Sequence, residues 1–331
     1  MKIKTHLFLW GEYKKGIAYV DGNTLIEFLE KDVDPDHIIT EGFVNSHTHI
    51  GDSFVKDVPR MGIMELVGPG GFKQRMLENA DKKLIIKGMA ESVRIMEREY
   101  VRSFFDFRES GVYGLKLIKS IKFRNVRPVI LTRPISGIYD QNEVDFLLEN
   151  SDGIGLSSIS DYDYDFISKV ARRTKEKGKI FSIHVSERVR EDIDNVISLK
   201  PDFIIHMHKA TEEDLKKVAD EKIKVVLTPR SSMFFWTIVD FQRFKRNGIE
   251  IALGTDNAMI SVPSIRMEMS FSYYLSLDPI EILKAFTISM DKFIDKPKKV
   301  ILFKAKPAEI VKNPFLPYVK VLNITDEFLK S

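Results

Sequence analysis

The stretch GFVNSHTHIGDS, residues 42–53, carries two histidines separated by one residue at the end of an apolar run. The run that leads into it, IITEGFVN, is typical of a buried β-strand. On a strand, residues i and i+2 point to the same face, so the imidazoles of His47 and His49 should project side by side. Two neutral imidazoles on a rigid strand supply half of a transition-metal site, and the alternative is an ordinary pair of surface or core histidines.

From residue 41 onward, short apolar runs alternate with segments of helical periodicity. The eight strand candidates, in chain order, are GFVNSHT, SFFDF, PVILTRP, GIGLSS, IFSIHVS, FIIHMH, KVVLTP and EIALGTD. Eight successive β–α units favour a closed parallel barrel over an open sheet. We therefore predict an α/β fold in which residues 41–295 form a (β/α)8 TIM barrel.

Both ends of the chain have a different pattern and are predicted to be strands. Residues 1–40 contain KIKTHLFLW, GIAYVDG and TLIEFLE, and the C-terminal part contains KVILFKAKPAEIVK and YVKVLNIT. We expect residues 1–40 and 296–331 to meet in a small flanking β-sandwich domain.

Composition and charge exclude several classes of function. The 331 residues include 51 Lys and Arg against 48 Asp and Glu, and this net charge of +3 gives no argument for binding nucleic acid. The chain has no cysteine, so any transition metal must be bound by His, Asp or Glu. No stretch approaches 18 apolar residues, and the N-terminus lacks the pattern of a signal peptide. We therefore expect a cytoplasmic protein with no membrane partner.

Chemically capable residues fall at the predicted carboxyl ends of the strands, which is where a TIM barrel places its active site. They are His47 and His49 on the first strand, His184 on the fifth, His206 on the sixth and Asp256 on the eighth. Each alone has an ordinary explanation, such as a turn aspartate in LGTDN. Five at the same end of one barrel indicate a common site.

Four motifs in the same order as in a known family support this interpretation. They are HTH at 47–49, HVSE at 184–187, IIHMH on the sixth strand and LGTDN at 253–257. On these motifs the chain resembles the amidohydrolase superfamily, and in particular its cytosine deaminase, guanine deaminase and S-adenosylhomocysteine deaminase branch, also called the triazine hydrolase-like group.

The resemblance implies a site for one divalent metal ion, with His47, His49 and His184 as ligands and Asp256 as a further ligand. Zinc is the first choice for such a ligand set, with iron and manganese as alternatives. Relatives with two metals bridge them through a lysine or a carboxylate at the end of strand 4, where this chain reads GIGLSSIS. One metal is therefore expected, and with it deamination rather than ring opening.

Catalytic roles are expected for Glu187, His206 and Asp256. A metal held by histidines and a carboxylate lowers the pKa of its bound water to about 7, and Asp256 can accept the proton of that water. Glu187 lies where it can carry protons to a ring nitrogen, and His206 can orient the water or stabilise developing charge. Whether His208 assists or replaces His206 is left open.

Substrate contacts are predicted at the mouth of the barrel. Arg108 and Arg133 close the second and third strands and are expected to bind a carboxylate, a phosphate or a heterocycle edge. The alternative for each is a structural ion pair with loop carboxylates. The segment MGIMELVGPGGFKQRM, residues 61–76, is predicted to be a long glycine-rich loop that resembles a lid, and Glu65 within it is expected to contact a substrate hydroxyl.

We therefore predict a mononuclear metal-dependent hydrolase that deaminates an amino-substituted nitrogen heterocycle, such as a nucleobase, nucleoside or pterin, and releases ammonia. Its partner is a small-molecule substrate, and whether it forms a homo-oligomer is left open. Hydrolysis of a cyclic amide and removal of a halide from a ring are alternatives on the same site. A non-catalytic barrel scaffold is the alternative of another class, and Glu187 argues against it because a scaffold has no need for a proton shuttle beside a metal.

Overall fold

The computed structural model describes residues 1–275, 278–325 and residue 328. In this part of the chain the strands form a nine-stranded sheet from the middle of the sequence and a closed six-stranded barrel from its two ends. Helices lie between the successive strands of the larger sheet. The predicted α/β fold, a (β/α)8 barrel with a small flanking β-domain built from both termini, is confirmed.

Strands and helices are numbered along the chain. The strands are β1 Lys2–Leu9, β2 Glu12–Asp21, β3 Thr24–Glu30, β4 His37–Glu41, β5 Phe43–His49, β6 Val101–Arg108, β7 Arg127–Thr132, β8 Gly153–Leu156, β9 Ile180–Val185, β10 Phe203–His206, β11 Lys224–Leu227, β12 Ile251–Leu253, β13 Asp256–Asn257, β14 Lys299–Phe303 and β15 Lys320–Ile324. The helices are α1 Ile63–Val67, α2 Phe72–Asn79, α3 Lys82–Arg98, α4 Gly111–Lys119, α5 Gln141–Asn150, α6 Tyr164–Glu176, α7 Ile193–Ser198, α8 Glu212–Asp220, α9 Pro229–Phe234, α10 Phe241–Arg246, α11 Ile265–Tyr274, α12 Pro279–Thr287 and α13 Pro307–Lys312. Within the described residues, none of these helices has the length and apolar character needed to cross a membrane.

The small domain is built around a closed ring of six strands in the order β1-β2-β3-β15-β14-β4. Strand β4 pairs with β1 on one side and with β14 on the other, while β15 pairs with β3. Because this pairing leaves no open edge, the domain is a small barrel instead of the predicted β-sandwich. Its strands come from residues 2–41 and 299–324, and the domain division at residues 40 and 296 stays a prediction.

The large sheet is parallel, and its strands follow one another in the order of the chain from β5 to β12. Such strands are buried on both faces, which explains their continuous apolar runs, and all seven residues of β5 are buried. Inside the barrel, the Phe203 ring packs against Phe105 and Phe107 with centroids 5.6 and 6.3 Å apart. The interior is therefore a packed core, and the active site of such a barrel lies at the strand ends.

The segment that contains β12 and β13 joins the two edges of this sheet. Strand β12 pairs with β11, whereas β13 pairs with β5. Between them, Gly254 N donates to Leu227 O and Thr255 N donates to His47 O, both at 3.0 Å. The Asn45 side chain binds the Thr255 backbone N–H at 3.1 Å and its hydroxyl at 2.8 Å. The edges of the sheet therefore meet where β5 carries its histidines.

Two segments differ from their predicted structure. Residues 61–76, predicted to be a long loop, contain helix α1 and the start of α2, joined by residues 68–71. The stretch PAEIVK, predicted to continue a strand, forms α13. Pro307 suits the first turn of a helix, and the Glu309 carboxylate accepts a hydrogen bond from Lys306 N at 2.8 Å, so the local sequence starts a helix there.

Candidate active site

The site lies at the carboxyl ends of the barrel strands. Strand β5 carries His47 and His49, β9 carries His184, β10 ends in His206, and Asp256 begins β13. All five residues are buried, with at most 8% of the surface of any of them exposed. The structure thus brings together the five residues that the sequence predicts at the strand ends.

Unusual backbone conformations occur in the turns that carry these groups. Ser186, His206, Met207 and Asp256 have φ values of 47, 78, 67 and 61°. Non-glycine residues seldom adopt this left-handed region, and each such residue costs on the order of 1–3 kcal/mol. At His206 and Asp256 the strain lies in a predicted functional residue, so the surrounding contacts hold these side chains in a conformation that they would not adopt alone.

Imidazole nitrogens and a carboxylate oxygen converge on one point. His184 Nε2 lies 3.2 Å from His47 Nε2 and 3.4 Å from His49 Nε2. Asp256 Oδ1 lies 3.2 Å from His47 Nε2 and 3.5 Å from His49 Nε2. Two nitrogens that bind one zinc ion at about 2.05 Å and a tetrahedral angle lie roughly 3.3 Å apart. The spacing of these atoms therefore fits a single four-coordinate cation.

The outer ring nitrogens of two histidines are held by backbone carbonyls. His184 Nδ1 lies 2.7 Å from Leu156 O, and His49 Nδ1 lies 3.1 Å from Phe107 O and 2.6 Å from Glu109 Oε1. A carbonyl accepts a hydrogen bond only from a protonated nitrogen, so Nδ1 carries the hydrogen and the Nε2 lone pair faces the centre. This is the usual outer support of metal-binding histidines. Among the described residues His47 Nδ1 is buried without a partner.

Burial keeps these imidazoles neutral. It lowers the pKa of His49 and of His206 to about 4, and it holds the pKa of His184 well below its usual value. For Asp256 burial alone would raise the pKa, but the hydrogen bond with His47 and the nearby histidines hold it well below the usual value. Neutral imidazoles and an ionised carboxylate are the forms that bind a divalent metal.

Glu187 lies beside His206 at the edge of this cluster. Its Oε1 is 3.4 Å from His206 Nε2. Burial raises the pKa of Glu187 to about 8; the Asp256 carboxylate adds to this effect, and the Arg188 guanidinium opposes it. A neutral carboxyl group at physiological pH can donate a proton and afterwards take one back.

A pocket opens over these groups and is lined mainly by polar side chains. Its wall includes Arg133, which follows β7, and Ser157 and Ser158, which follow β8. Arg133 Nε donates to Gly155 O at 3.4 Å. Arg188, also in the wall, pairs with Asp161 at 2.5 Å. Arg133 is therefore the predicted substrate residue that reaches the pocket.

The other two predicted substrate residues lie away from the pocket wall. Arg108 has 3% of its side chain exposed, and its guanidinium lies 3.4 Å from Asp106 Oδ2 and 2.8 Å from Glu109 Oε2. Glu65 is exposed on α1, and its carboxylate accepts from Gly62 N at 3.2 Å. These contacts favour a structural ion pair for Arg108 and a helix cap for Glu65 over the predicted contact with a substrate.

The His208 side chain contacts α9. Its Nε2 lies 2.8 Å from the Ser232 hydroxyl, and its ring centroid is 5.4 Å from that of His206. It is not among the residues that line the pocket. This arrangement favours His206 as the residue that acts on the substrate.

Sequence reasoning missed several polar groups around the cluster. Glu109 and Asn257 directly follow Arg108 and Asp256 in the sequence. Their signal is therefore a position one residue beyond the predicted strand-end residues. Glu191 binds Ser186 N at 2.7 Å and also accepts from Ser158 Oγ, which holds the chain on both sides of Glu187. Lys73, buried at the pocket, comes from α2 and has no signal of its own in the sequence.

Comparison with known proteins gives relatives and similar folds. No protein-family model matches the chain. A protein of Archaeoglobus fulgidus named "Putative aminohydrolase" is 32% identical over 305 residues, which cover 90% of this chain and 86% of that protein. The fold is similar to that of a zinc-bound adenosine deaminase from Xanthomonas campestris, with a TM-score of 0.74 and 12% identity over 97% of this chain and 91% of the other. It is also similar to a Helicobacter pylori aminofutalosine deaminase in complex with methylthio-coformycin, with a TM-score of 0.72 and 14% identity over 96% of this chain and 97% of the other.

Proposed function

The chain belongs to the amidohydrolase superfamily as a metal-dependent hydrolase of non-peptide C–N bonds, and we propose that its reaction is the deamination of an amino-substituted nitrogen heterocycle. The substrate would be a nucleobase, a nucleoside or a pterin, and the products would be the oxo-substituted ring and ammonia. The observation that carries the proposal is the position of the Glu187 carboxyl group, 3.4 Å from His206 Nε2 and beside a cluster of metal-type ligands in one pocket.

His47, His49, His184 and Asp256 would hold one divalent metal ion. The donor set fits zinc, with iron and manganese as alternatives, because neutral imidazoles and a carboxylate suit all three metals. When bound, the ion would activate a water molecule as a nucleophile near neutral pH. A single ion is supported by the end of β8, where Ser157 and Ser158 stand in place of a bridging lysine or carboxylate.

In the proposed reaction, water adds to the ring carbon that bears the amino group, and the bond from that carbon to the amino nitrogen then breaks. Asp256 takes a proton from the attacking water. Glu187 gives its proton to a ring nitrogen, takes up the proton of the new hydroxyl group as the carbon–oxygen double bond forms, and passes that proton to the leaving amino group, so that ammonia departs. Asp256 then returns the water proton to Glu187, which restores both groups. His206, 3.4 Å from Glu187, would orient the water and donate to the oxygen on which charge develops.

Arg133 is the residue that we propose for substrate recognition. Its guanidinium lies in the pocket wall, where it can bind the polar edge of a ring or an anionic substituent. Arg108 is left out of this role because its guanidinium already pairs with two buried carboxylates. Glu65 is also left out, because its carboxylate caps α1 and it does not line the pocket.

An ammonia-release screen tests the proposal. The zinc-loaded protein is incubated with purines, pyrimidines, nucleosides and pterins, and Glu187→Gln serves as the inactive control. We expect ammonia from at least one of these classes with the wild type and a large loss with the variant. A new carboxylate or a released halide from other substrates, without ammonia from any of the classes, would instead favour a cyclic amidase or a dehalogenase.

A further inference from the structure

We propose that Lys73 is a positioning residue that links helix α2 to two of the metal ligands at once. The inference rests on the proposed metal site, because it concerns how that site is held in shape. Lys73 lies on α2, which follows the first barrel strand, and 8% of its side chain is exposed. A lysine that is buried to this extent needs partners for its charge.

The partners of Lys73 Nζ come from two different strand ends. Nζ lies 2.5 Å from Glu109 Oε1, just after β6, and donates to Asn257 Oδ1 in β13 at 2.8 Å. A second carboxylate oxygen, Asp52 Oδ2, lies 3.9 Å away. One ammonium group therefore bridges two parts of the barrel mouth that are 148 residues apart in the chain.

Each of the two close partners contacts a predicted metal ligand. Glu109 Oε1, which faces Lys73, also lies 2.6 Å from His49 Nδ1. Asn257 Nδ2 donates to Asp256 Oδ1 at 3.0 Å. Lys73 is therefore connected to His49 through the Glu109 carboxylate and to Asp256 through the Asn257 amide. It contacts neither ligand directly.

The charges around Glu109 explain why Lys73 is needed in addition to the neighbouring arginine. Arg108 Nη2 binds Glu109 Oε2 at 2.8 Å, which leaves Oε1 for Lys73 and His49. Without Lys73, the Oε1 atom would face His49 with no cation to hold it in place, and Asp52 would lose its nearest cation. Outer partners of this kind set the orientation and basicity of metal-binding imidazoles.

The test measures zinc affinity of the full-length protein by competition with a chelator, which does not depend on knowing the substrate. Lys73→Met is compared with Lys87→Met, which changes an exposed lysine on α3, and with Lys73→Arg, which keeps a cation. Glu109→Gln and the double variant with Lys73→Met form a double-mutant cycle. Thermal unfolding of the metal-free variants reports folding, and Lys73→Gln replaces Lys73→Met if the latter does not fold.

We expect Lys73→Met to weaken zinc binding roughly 10- to 100-fold, Lys73→Arg to recover part of the loss and Lys87→Met to match the wild type. Because Lys73 acts through Glu109, the double variant should lose less than the product of the two single losses. Zinc affinity that is unchanged in Lys73→Met would overturn the inference and leave the proposed function standing. A wild-type protein that binds no zinc, iron or manganese would overturn both.

Discussion

At the residue scale, Asp256 and Glu187 are two carboxyl groups of the site whose pKa values shift in opposite directions. Asp256 is close to His47 and His49, so its pKa stays well below the usual value in spite of burial. Glu187 has fewer compensating contacts, and burial raises its pKa to about 8. Two titratable groups whose surroundings push their pKa values apart can divide the base and acid roles between them.

This division predicts the result of replacing Glu187. Glu187→Gln keeps the shape of the side chain and removes its exchangeable proton, so turnover should fall by about 10²- to 10⁴-fold while the bound zinc is retained. The measurement is kcat for ammonia release together with metal content, and Glu213→Gln, at an exposed position on α8, is the control. Wild-type turnover in Glu187→Gln would remove Glu187 from the mechanism.

The raised pKa of Glu187 also predicts a pH dependence of stability in the metal-free protein. The folded-state pKa, about 8, lies above the ordinary value of 4.5. The stabilisation from holding this proton is therefore complete below the ordinary pKa and is lost as the pH rises towards the folded pKa. Each pKa unit of difference is worth about 1.4 kcal/mol.

Urea unfolding at a series of pH values checks this expectation. Between about pH 5 and about pH 8 the wild type should lose free energy of unfolding relative to Glu187→Gln, which cannot titrate at this position. Parallel curves for the two proteins over this range would show that the Glu187 pKa is not raised.

At the scale of elements, the seam between β12, β13 and β5 brings Asp256 next to the histidines. Gly254 lies at this seam, and a Cβ there would meet the His47 backbone N at 2.6 Å and the His47 backbone O at 2.7 Å. A methyl group at this position would push β5 away from the segment between β12 and β13. The separation of His47 from Asp256 would then change with it.

Gly254→Ala should therefore destabilise the protein by about 1–3 kcal/mol and weaken zinc binding. Denaturant unfolding and zinc titration measure the two effects. Gly137→Ala is the matched control, because a Cβ there has its nearest contact at 3.7 Å, with Tyr162. If Gly254→Ala behaved like this control, the close approach at the seam would not be important for the site.

The strands of the barrel can be predicted from the sequence, whereas the helices over the pocket cannot, for physical reasons. The barrel strands are buried on both faces, so their apolar runs are visible, and parallel topology places His184 and His206 at the same end. Helices α1 and α2 are not predicted, because GPGG in residues 61–76 indicates a turn. Nothing in the local sequence shows that this turn connects two helices. The contact of Lys73 with Glu109 depends on how α2 packs, so it has no local pattern.

At the scale of the whole molecule, an ion-pair network joins the small barrel to the large one. Arg102, at the start of β6, binds Glu41 at the end of β4 at 3.1 Å and Thr287 O on α12 at 2.9 Å. Burial raises the pKa of Glu41 to about 7, and the Arg102 charge opposes this rise. Arg102 lies at the amino ends of the barrel strands, so this network is remote from the predicted metal ligands.

Arg102→Met should lower the free energy of unfolding by about 3–5 kcal/mol, because it leaves the buried Glu41 carboxylate without its cation. The zinc affinity of the folded protein should stay unchanged. Arg127→Met, which removes an arginine with 45% of its side chain exposed at the same end, should cost less than about 1 kcal/mol. Equal losses in the two variants, measured by urea unfolding, would argue against the network as a link between the barrels.

Metal content per chain is the measurement that tests the central claim most directly. The purified protein is reconstituted with zinc, iron or manganese, the excess metal is removed, and the bound ion is counted by elemental analysis for the wild type and for His184→Ala and His49→Ala. We predict one equivalent of metal in the wild type and a clear loss in both variants. No bound metal in the wild type, or the same stoichiometry in all three proteins, would contradict the convergence of these side chains on one cation.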